Sequence, residues 1–264
     1  MVLQDITAKV CSLAKTVGNF IQTEAQSFNR SSVEVKSFNQ LVSYVDKTAE
    51  EKLVAGLQII LPDAGFITEE QTIATEQKEY MWVIDPLDGT TNFVHQLPVY
   101  SISIALMHKG VPVIGVVFEP NRHELFYAWK DGGAHLNGHK ISVKQNNELS
   151  KALLATGFPY YDFDLMQRYL NTLQEFLRTT QGMRRMGSAA VDLAYVACGR
   201  FDGFFEYGLS PWDVAGGIVL VQEAGGKIST FSGTDDAIFG KEIVAASTQI
   251  YDSFYAVIHN GFKA

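Results

Sequence analysis

Met81-Trp82-Val83-Ile84-Asp85-Pro86-Leu87-Asp88-Gly89-Thr90-Thr91-Asn92 is the stretch on which the reading of this chain turns. Four apolar residues in an unbroken run describe a short strand buried on both faces. The run stops at an acid, Asp85. Pro86 fixes the backbone there. A second acid, Asp88, returns three residues later, so both carboxylates can face one point at the end of a rigid strand. Hard oxygen ligands gathered in this way suit Mg2+, which prefers octahedral oxygen coordination and retains water. Gly89 has no side chain, so the N–H groups of residues 89 and 90 can approach a phosphate closely. Pro-Leu-Asp-Gly is also a good turn sequence; the run on through Asn92 behind a buried strand weakens that plain reading, and both stay open at this point.

On the N-terminal side, an apolar stripe at Val2, Ile6, Val10, Leu13, Val17 and Ile21 predicts a long helix over most of residues 2–28. A second stripe, Leu41, Val45, Ala49, Leu53, Leu57 and Ile60, predicts a helix from Leu41 to Ile60, ended by Pro62 and Gly65. On the C-terminal side, Val99–Met107 and Val111–Phe118 read as strands joined by a hairpin at Lys109-Gly110, and His123–Trp129 as a third strand. After Ala152 the pattern alternates: helices at Leu165–Leu177, Ser188–Cys198, Ser210–Ala224 and Gln249–Ile258, with strands at Phe201–Tyr207, Lys227–Phe231 and Ile243–Ala246. Interleaved strands and helices predict a layered α/β or α+β fold. Residues 1–150 read as a helix pair plus an antiparallel sheet and residues 151–264 as an alternating half, together one unit without a linker.

Composition narrows the function. Of 264 residues 47% are hydrophobic and 19% charged, enough for a sizeable core. No apolar run reaches about 18 residues and no signal-peptide pattern opens the chain, so a cytoplasmic protein without a membrane span is expected. Cys11 and Cys198 lie far apart on apolar segments and read as packed residues, neither a disulfide nor a metal pair. The net charge of −8, from 21 basic and 29 acidic residues, argues against a nucleic-acid partner. It also means that an anionic substrate would need local cations.

Other acids recur where elements begin or end. Ser210-Pro211-Trp212-Asp213 is a helix start with Asp213 at the third position, which a capping box explains and a metal ligand would also use. Gly187-Ser188-Ala189-Ala190 opens another helix with Ser188 as N-cap; its small residues serve equally as an ordinary closely packed cap or as an opening that admits an anion or polyol to the first N–H groups. Glu206 ends an apolar strand and can face a hydroxylated ligand or mark the strand edge. Glu69-Glu70, Asp46 and Lys36 read most simply as solvated charges.

Taken together these segments are familiar. Asp85–Asn92 resembles the first signature of the inositol monophosphatase family. Trp212-Asp213-Val214-Ala215-Gly216-Gly217, leading to Glu223-Ala224-Gly225-Gly226, resembles the second. Thr68-Glu69-Glu70 resembles the family's Gly-Glu-Glu, and Lys36 with Leu41-Val42-Ser43…Asp46 fits its early segment. The matches are in order and run from about residue 30 to the C-terminus. Thr68 departs from the family's usual Gly, and Pro211 stands at a position that varies; neither removes a ligand.

The resemblance implies a five-layered αβαβα sandwich of the sugar phosphatase type, a homodimer, and a lithium-sensitive hydrolase acting on a small phosphorylated polyol, inositol 1-phosphate first. It implies two to three Mg2+ ions. Asp85 would bridge two of them, Glu69 and the Leu87 carbonyl would complete one site, and Asp88 and Asp213 the other. Glu69 would also face a third ion and counts with Asp46 and Thr90 as catalytic. Thr90, paired with Asp46, would orient and deprotonate the attacking water. Gly89 and Thr90 amides would hold phosphate, and Asp88, Gly187, Ser188, Ala189 and Glu206 would line the substrate, with Lys36 and Arg184 as further candidates. Relatives acting on fructose 1,6-bisphosphate, 3′(2′),5′-bisphosphate nucleotides or NADP(H) share this chemistry, and Arg184-Arg185 is a candidate for a second phosphate. A non-catalytic binding protein that keeps the fold is the reading from another class.

Overall fold

The stripe that predicts the first helix is the face that α1 (Leu3–Ser27) buries: Ile6, Val10, Cys11, Ala14, Val17 and Ile21. The computed structural model describes residues 2–28, 34–37, 40–160 and 163–263, with the backbone alone at 34–37 and 40–42. A small antiparallel pair, β1 (Glu34–Ser37) and β2 (Gln40–Val42), precedes α2 (Tyr44–Ile60). The second helix therefore begins three residues later than its apolar stripe suggests. Ser43 stops it there: its Oγ accepts the N–H of Val45 (3.1 Å), and its own N–H donates to Asp46 Oδ2 (2.8 Å), a capping box closed by Asp at the third position. Leu41 and Val42 pair as strand instead.

α1 and α2 cover one face of a seven-stranded sheet in the order β3 (Gly65–Thr68), β4 (Tyr80–Asp88), β5 (Ser101–His108), β6 (Val111–Glu119), β7 (Glu124–Trp129), β8 (Gly133–Leu136), β9 (His139–Ile141). Only β3–β4 is parallel; every other pair is antiparallel. Lys109 and Gly110 both take positive φ (52° and 82°), which lets the β5–β6 hairpin turn follow the strand twist. A five-stranded sheet, ordered β11 (Gly182–Arg184), β10 (Leu153–Thr156), β12 (Gly203–Tyr207), β14 (Glu242–Ser247), β13 (Gly226–Ser229), forms the second β-layer. Between the sheets lie α5 (Ala189–Ala197) and α6 (Pro211–Glu223), whose residues are buried nearly all round. α4 (Met166–Thr179) and α7 (Tyr251–Phe262) cover the outer face, and the short α3 (Thr90–Val94) follows β4. The layers are α1/α2, sheet, α5/α6, sheet, α4/α7: an αβαβα sandwich with one apolar core under α1/α2, one around α5/α6 between the two sheets, and one under α4/α7.

Besides β1 and β2, five strands, β3, β8, β9, β10 and β11, go beyond the sequence reading. Each is three or four residues long, too short to show a period, and three of them sit at sheet edges. No helix among the described residues is long and apolar enough to cross a membrane. Cys11 and Cys198 are free thiols, and burial pushes both pKa values up, that of Cys11 to about 12.

Candidate active site

The acidic stretch lies where β4 ends. Asp85 pairs with Ser103 and Asp88 with Ser101 on β5, so three steps on β4 face two on its neighbour. This bulge falls at Pro86-Leu87, where proline has no N–H to give the ladder. It turns both acids toward the same end of the sheet. Leu87 N–H donates back to Asp85 Oδ1 (2.9 Å), which fixes that carboxyl. Gly89 follows with φ of 100°, and a Cβ there would lie 3.1 Å from the carbonyls of Val99 and Gly187. Only glycine allows both the left-handed turn and the close approach of the strand bearing Asp88 to the start of α5.

Five further segments bring side chains to this point. α2 contributes Asp46, whose Oδ1 accepts the hydroxyl of Thr90 at 2.9 Å. The Leu87 carbonyl, 3.1 Å away, is a second acceptor for the same proton. Asp46 is 1% exposed, and burial raises its pKa against the hydrogen bonds from Ser43 and Thr90. The turn after β3 contributes Glu69. α6 contributes Asp213, whose Oδ2 accepts Ser210 N–H at 2.7 Å. α5 contributes Ser188, its N-cap, which donates to Asp88 Oδ2 at 2.6 Å while Ala190 N–H donates to the same oxygen at 2.7 Å. β12 contributes Glu206. Glu69, Asp85, Leu87, Asp88, Gly89, Thr90, Gly187, Ser188, Ala189, Glu206 and Asp213 all line one cleft of about 850 Å3.

One expected residue falls elsewhere, and the side chain of another lies outside what the structure describes. Arg184 is exposed, donates to the Met183 carbonyl at 2.9 Å and does not line the cleft; its neighbour Arg185 does. Arg184 is the last residue of β11, while Arg185 stands on the segment that leads from β11 to α5. Lys36 lies on β1, and its side chain is outside the described residues. Tyr160 stands at the cleft, while Tyr161 and Asp162 lie outside the described residues.

The electrostatics mark the site as short of positive charge. Burial pushes the Asp85 carboxyl well above the carboxylate range, and Glu69, Asp88 and Asp213 push it further. Asp213 is raised well above that range by burial and then by Asp88. Asp88 rises to about 6 by burial, restrained by Ser188 and the α5 amides. Glu69 and Asp85 are in hydrogen-bond contact, as are Asp85 and Asp213. Carboxylates in contact must share a proton or a cation. Among the described residues no three acidic, His or Cys side chains form a ready-made cage around an ion. The donor set nevertheless fits a hard divalent cation: all oxygen, several carboxylates and a carbonyl, each on the end of a rigid element.

Sequence reasoning missed Glu50. It is fully buried one turn after Asp46 and accepts three hydrogen bonds, from Glu70 N–H (2.7 Å), Thr72 N–H (2.8 Å) and Thr72 Oγ1 (2.8 Å). The turn that carries Glu69 is thereby tied to α2. The signal was the four-residue spacing of the two acids, which puts them on one helix face. Asn92 was quoted without a role; its amide donates to the carbonyls of Val99 (2.7 Å) and Met186 (2.9 Å), clamping the segment before Gly187 to the turn after Gly89.

The profile of the inositol monophosphatase family matches residues 2–261. This chain belongs to that family. Within it, the putative Nus factor SuhB of Neisseria meningitidis serogroup B is 42% identical over 246 residues, covering 93% of this chain and 94% of that protein. The Nus factor SuhB of Escherichia coli K12 is 40% identical over 244 residues, covering 92% and 91%. Among solved structures, the inositol monophosphatase from Anabaena superposes with a TM-score of 0.86 at 36% identity over 98% of this chain and 96% of that one. The extragenic suppressor protein suhB from Bartonella henselae gives 0.91 at 34% identity, covering 98% and 99%. The inositol monophosphatase fold thus accounts for the layer order, and family membership for a phosphatase-type site.

Proposed function

We propose that the chain hydrolyses a phosphate monoester, inositol 1-phosphate first among substrates, with Mg2+ as cofactor. The observation that carries this reading is the set of Glu69, Asp85 and Asp213, with Asp85 in contact with each of the other two, beside the Thr90–Asp46 pair and the left-handed turn at Gly89. Such a set is costly to bury without a cation. Glu69, Asp85, the Leu87 carbonyl, Asp88 and Asp213 would hold the metal. Bound Mg2+ supplies Lewis acidity, which offsets the acidic cluster, makes water a better nucleophile and stabilises the leaving oxygen.

The chain's own groups do the rest. Gly89 and Thr90 amides hold the phosphate. Thr90 Oγ1 accepts the proton of the attacking water as its own proton passes to Asp46 Oδ1, whose raised pKa suits a base. The water oxygen bonds to phosphorus, the ester P–O bond breaks, and the alcohol oxygen leaves and takes up a proton from solvent water, while Asp46 returns its proton to solvent. Glu206, Ser188 and the Ala189 backbone receive the alcohol half. Lithium inhibition, a homodimer and a cytoplasmic location belong to the same reading.

The test is phosphate release from inositol 1-phosphate, fructose 1,6-bisphosphate, 3′-phosphoadenosine 5′-phosphate and NADP+, each with Mg2+, with EDTA and with added Li+. Mg2+-dependent release fastest from inositol 1-phosphate supports the reading. Preference for a bisphosphate moves the substrate and keeps the mechanism, and no metal-dependent release from any of them defeats it. A second reading draws on the name Nus factor carried by relatives at 40–42% identity. It leaves open an association with RNA polymerase or nucleic acid, against the expectation from net charge. Co-migration of the chain with purified RNA polymerase in gel filtration would support that association; separate elution would count against it.

A further inference from the structure

All nine residues of α5 are buried, and eight of them are Ala, Val, Leu or Tyr. The ninth is Asp192, 1% exposed. A position in the first turn favours an acid through the helix dipole, but the dipole does not satisfy a carboxyl oxygen. Asp192 Oδ1 is fully buried and has no hydrogen-bond partner. A buried acceptor left unpaired is costly and calls for an explanation. Neither the metal ligands nor the Thr90–Asp46 pair uses this residue, yet Asp192 lines the cleft.

Its surroundings point to hydroxyl groups. Glu206 and Arg185 act electrostatically on Asp192 and line the same cleft. The Arg185 guanidinium is held over the rings of Phe158 (5.4 Å) and Tyr160 (5.2 Å), which leaves its N–H edge for a ligand. Gly157 makes the room: a Cβ there would lie 1.9 Å from the Glu206 carboxyl. Two carboxyls and a guanidinium, from α5, β12 and the segment before α5, can give and accept hydrogen bonds with neighbouring hydroxyls on one carbon skeleton.

We propose that Asp192 is a specificity-determining residue for the hydrolysis reaction: with Glu206 and Arg185 it binds the hydroxyl groups of the alcohol half, so that the cleft takes phosphate esters of polyhydroxylated alcohols over esters of hydroxyl-free ones. This rests on the phosphatase reading above. Burial first, then Glu206 and Asp88, push the Asp192 carboxyl well above the carboxylate range; a neutral carboxyl both donates and accepts, as a hydroxyl does. A site built to pair a hydroxyl rejects the analogue that lacks it.

The experiment compares inositol 1-phosphate with cyclohexyl phosphate, the same ring without hydroxyls, in Mg2+, as the ratio of kcat/KM values. The parent is expected to prefer inositol 1-phosphate by at least about 100-fold. Asp192→Ala is expected to lower that ratio by about tenfold or more, and Asp192→Asn, which keeps donor and acceptor, by less. Ratios within twofold of the parent in both variants overturn the proposal, because a packing defect alone slows both esters alike. A parent with no preference overturns it whether or not the variants fold. A parent that releases phosphate from neither ester defeats the phosphatase reading itself, and this inference with it.

Discussion

Thr90 Oγ1 carries one proton and has two acceptors, Asp46 Oδ1 at 2.9 Å and the Leu87 carbonyl at 3.1 Å. Replacing Thr90 with Ala removes the group that, in the proposed mechanism, links water to Asp46. The expected result is a fall in kcat of about 100- to 10,000-fold with KM near that of the parent; steady-state kinetics check it, and a fall under tenfold would count against the relay. Glu206 makes a prediction about pH. Burial holds its carboxyl at about 8, against an ordinary value of 4.5, with Arg185 opposing. As pH rises from 4.5 to 8 the unfolded chain ionises at this residue and the folded chain does not, so Glu206 lowers stability across that window and by a constant amount above it. Glu206→Gln should therefore stabilise the metal-free protein at pH 9, by up to a few kcal/mol, and much less at pH 4.5. Urea midpoints in EDTA at the two pH values measure this; an equal difference at both would refute it.

At the scale of elements, α2 is a single rigid piece that carries Asp46 to Thr90 and Glu50 to the turn bearing Glu69. Glu50→Gln sets an amide N–H2 against the backbone donors at residues 70 or 72. The turn then loosens, and the Mg2+ concentration for half-maximal turnover is expected to rise about 10- to 100-fold. A magnesium titration of turnover reads it, and an unchanged midpoint would separate Glu50 from the metal site. These two acids also show what a sequence conceals. Asp46 and Glu50 stand among Lys47, Glu51 and Lys52, so local composition describes a solvated face, and only packing against β4 and the turn after β3 buries them. α1, α4, α5, α6 and α7 were legible because an apolar stripe or an apolar run leaves a period. The strand before α2 was not, because Leu41 continues the helical stripe and the stop comes from the Ser43 cap.

The whole molecule gathers its site from both β-layers and from helices of two α-layers, which is why layer order matters to function. The helices between the sheets could be recognised as buried from their lack of a polar face. The order of strands in each sheet could not, since a short strand such as β10 owes its place to β12, where Leu154 pairs with Gly203 far along the chain. The ligand-type acids at 69, 85, 88 and 213 were legible through motif resemblance, whereas Asp192 was hidden as one charge in an apolar helix. The acidic cleft has a consequence for stability. Asp85→Asn removes a desolvated, repelled charge, so in EDTA the variant is expected to melt at or above the parent's Tm. Saturating Mg2+ should raise the Tm of the parent more than that of the variant, since a ligand stabilises the state it binds. A lower Tm for the variant in EDTA would mean that Asp85 is structural. Phosphate release from inositol 1-phosphate by parent and Asp85→Asn, each in Mg2+ and in EDTA, decides whether this cleft is a magnesium-requiring phosphatase site. The parent is expected to turn over in Mg2+ and stop in EDTA, with the variant about 1,000-fold slower or worse while still folded. Turnover by the variant near the parent's rate, or parent turnover that survives EDTA, would contradict it.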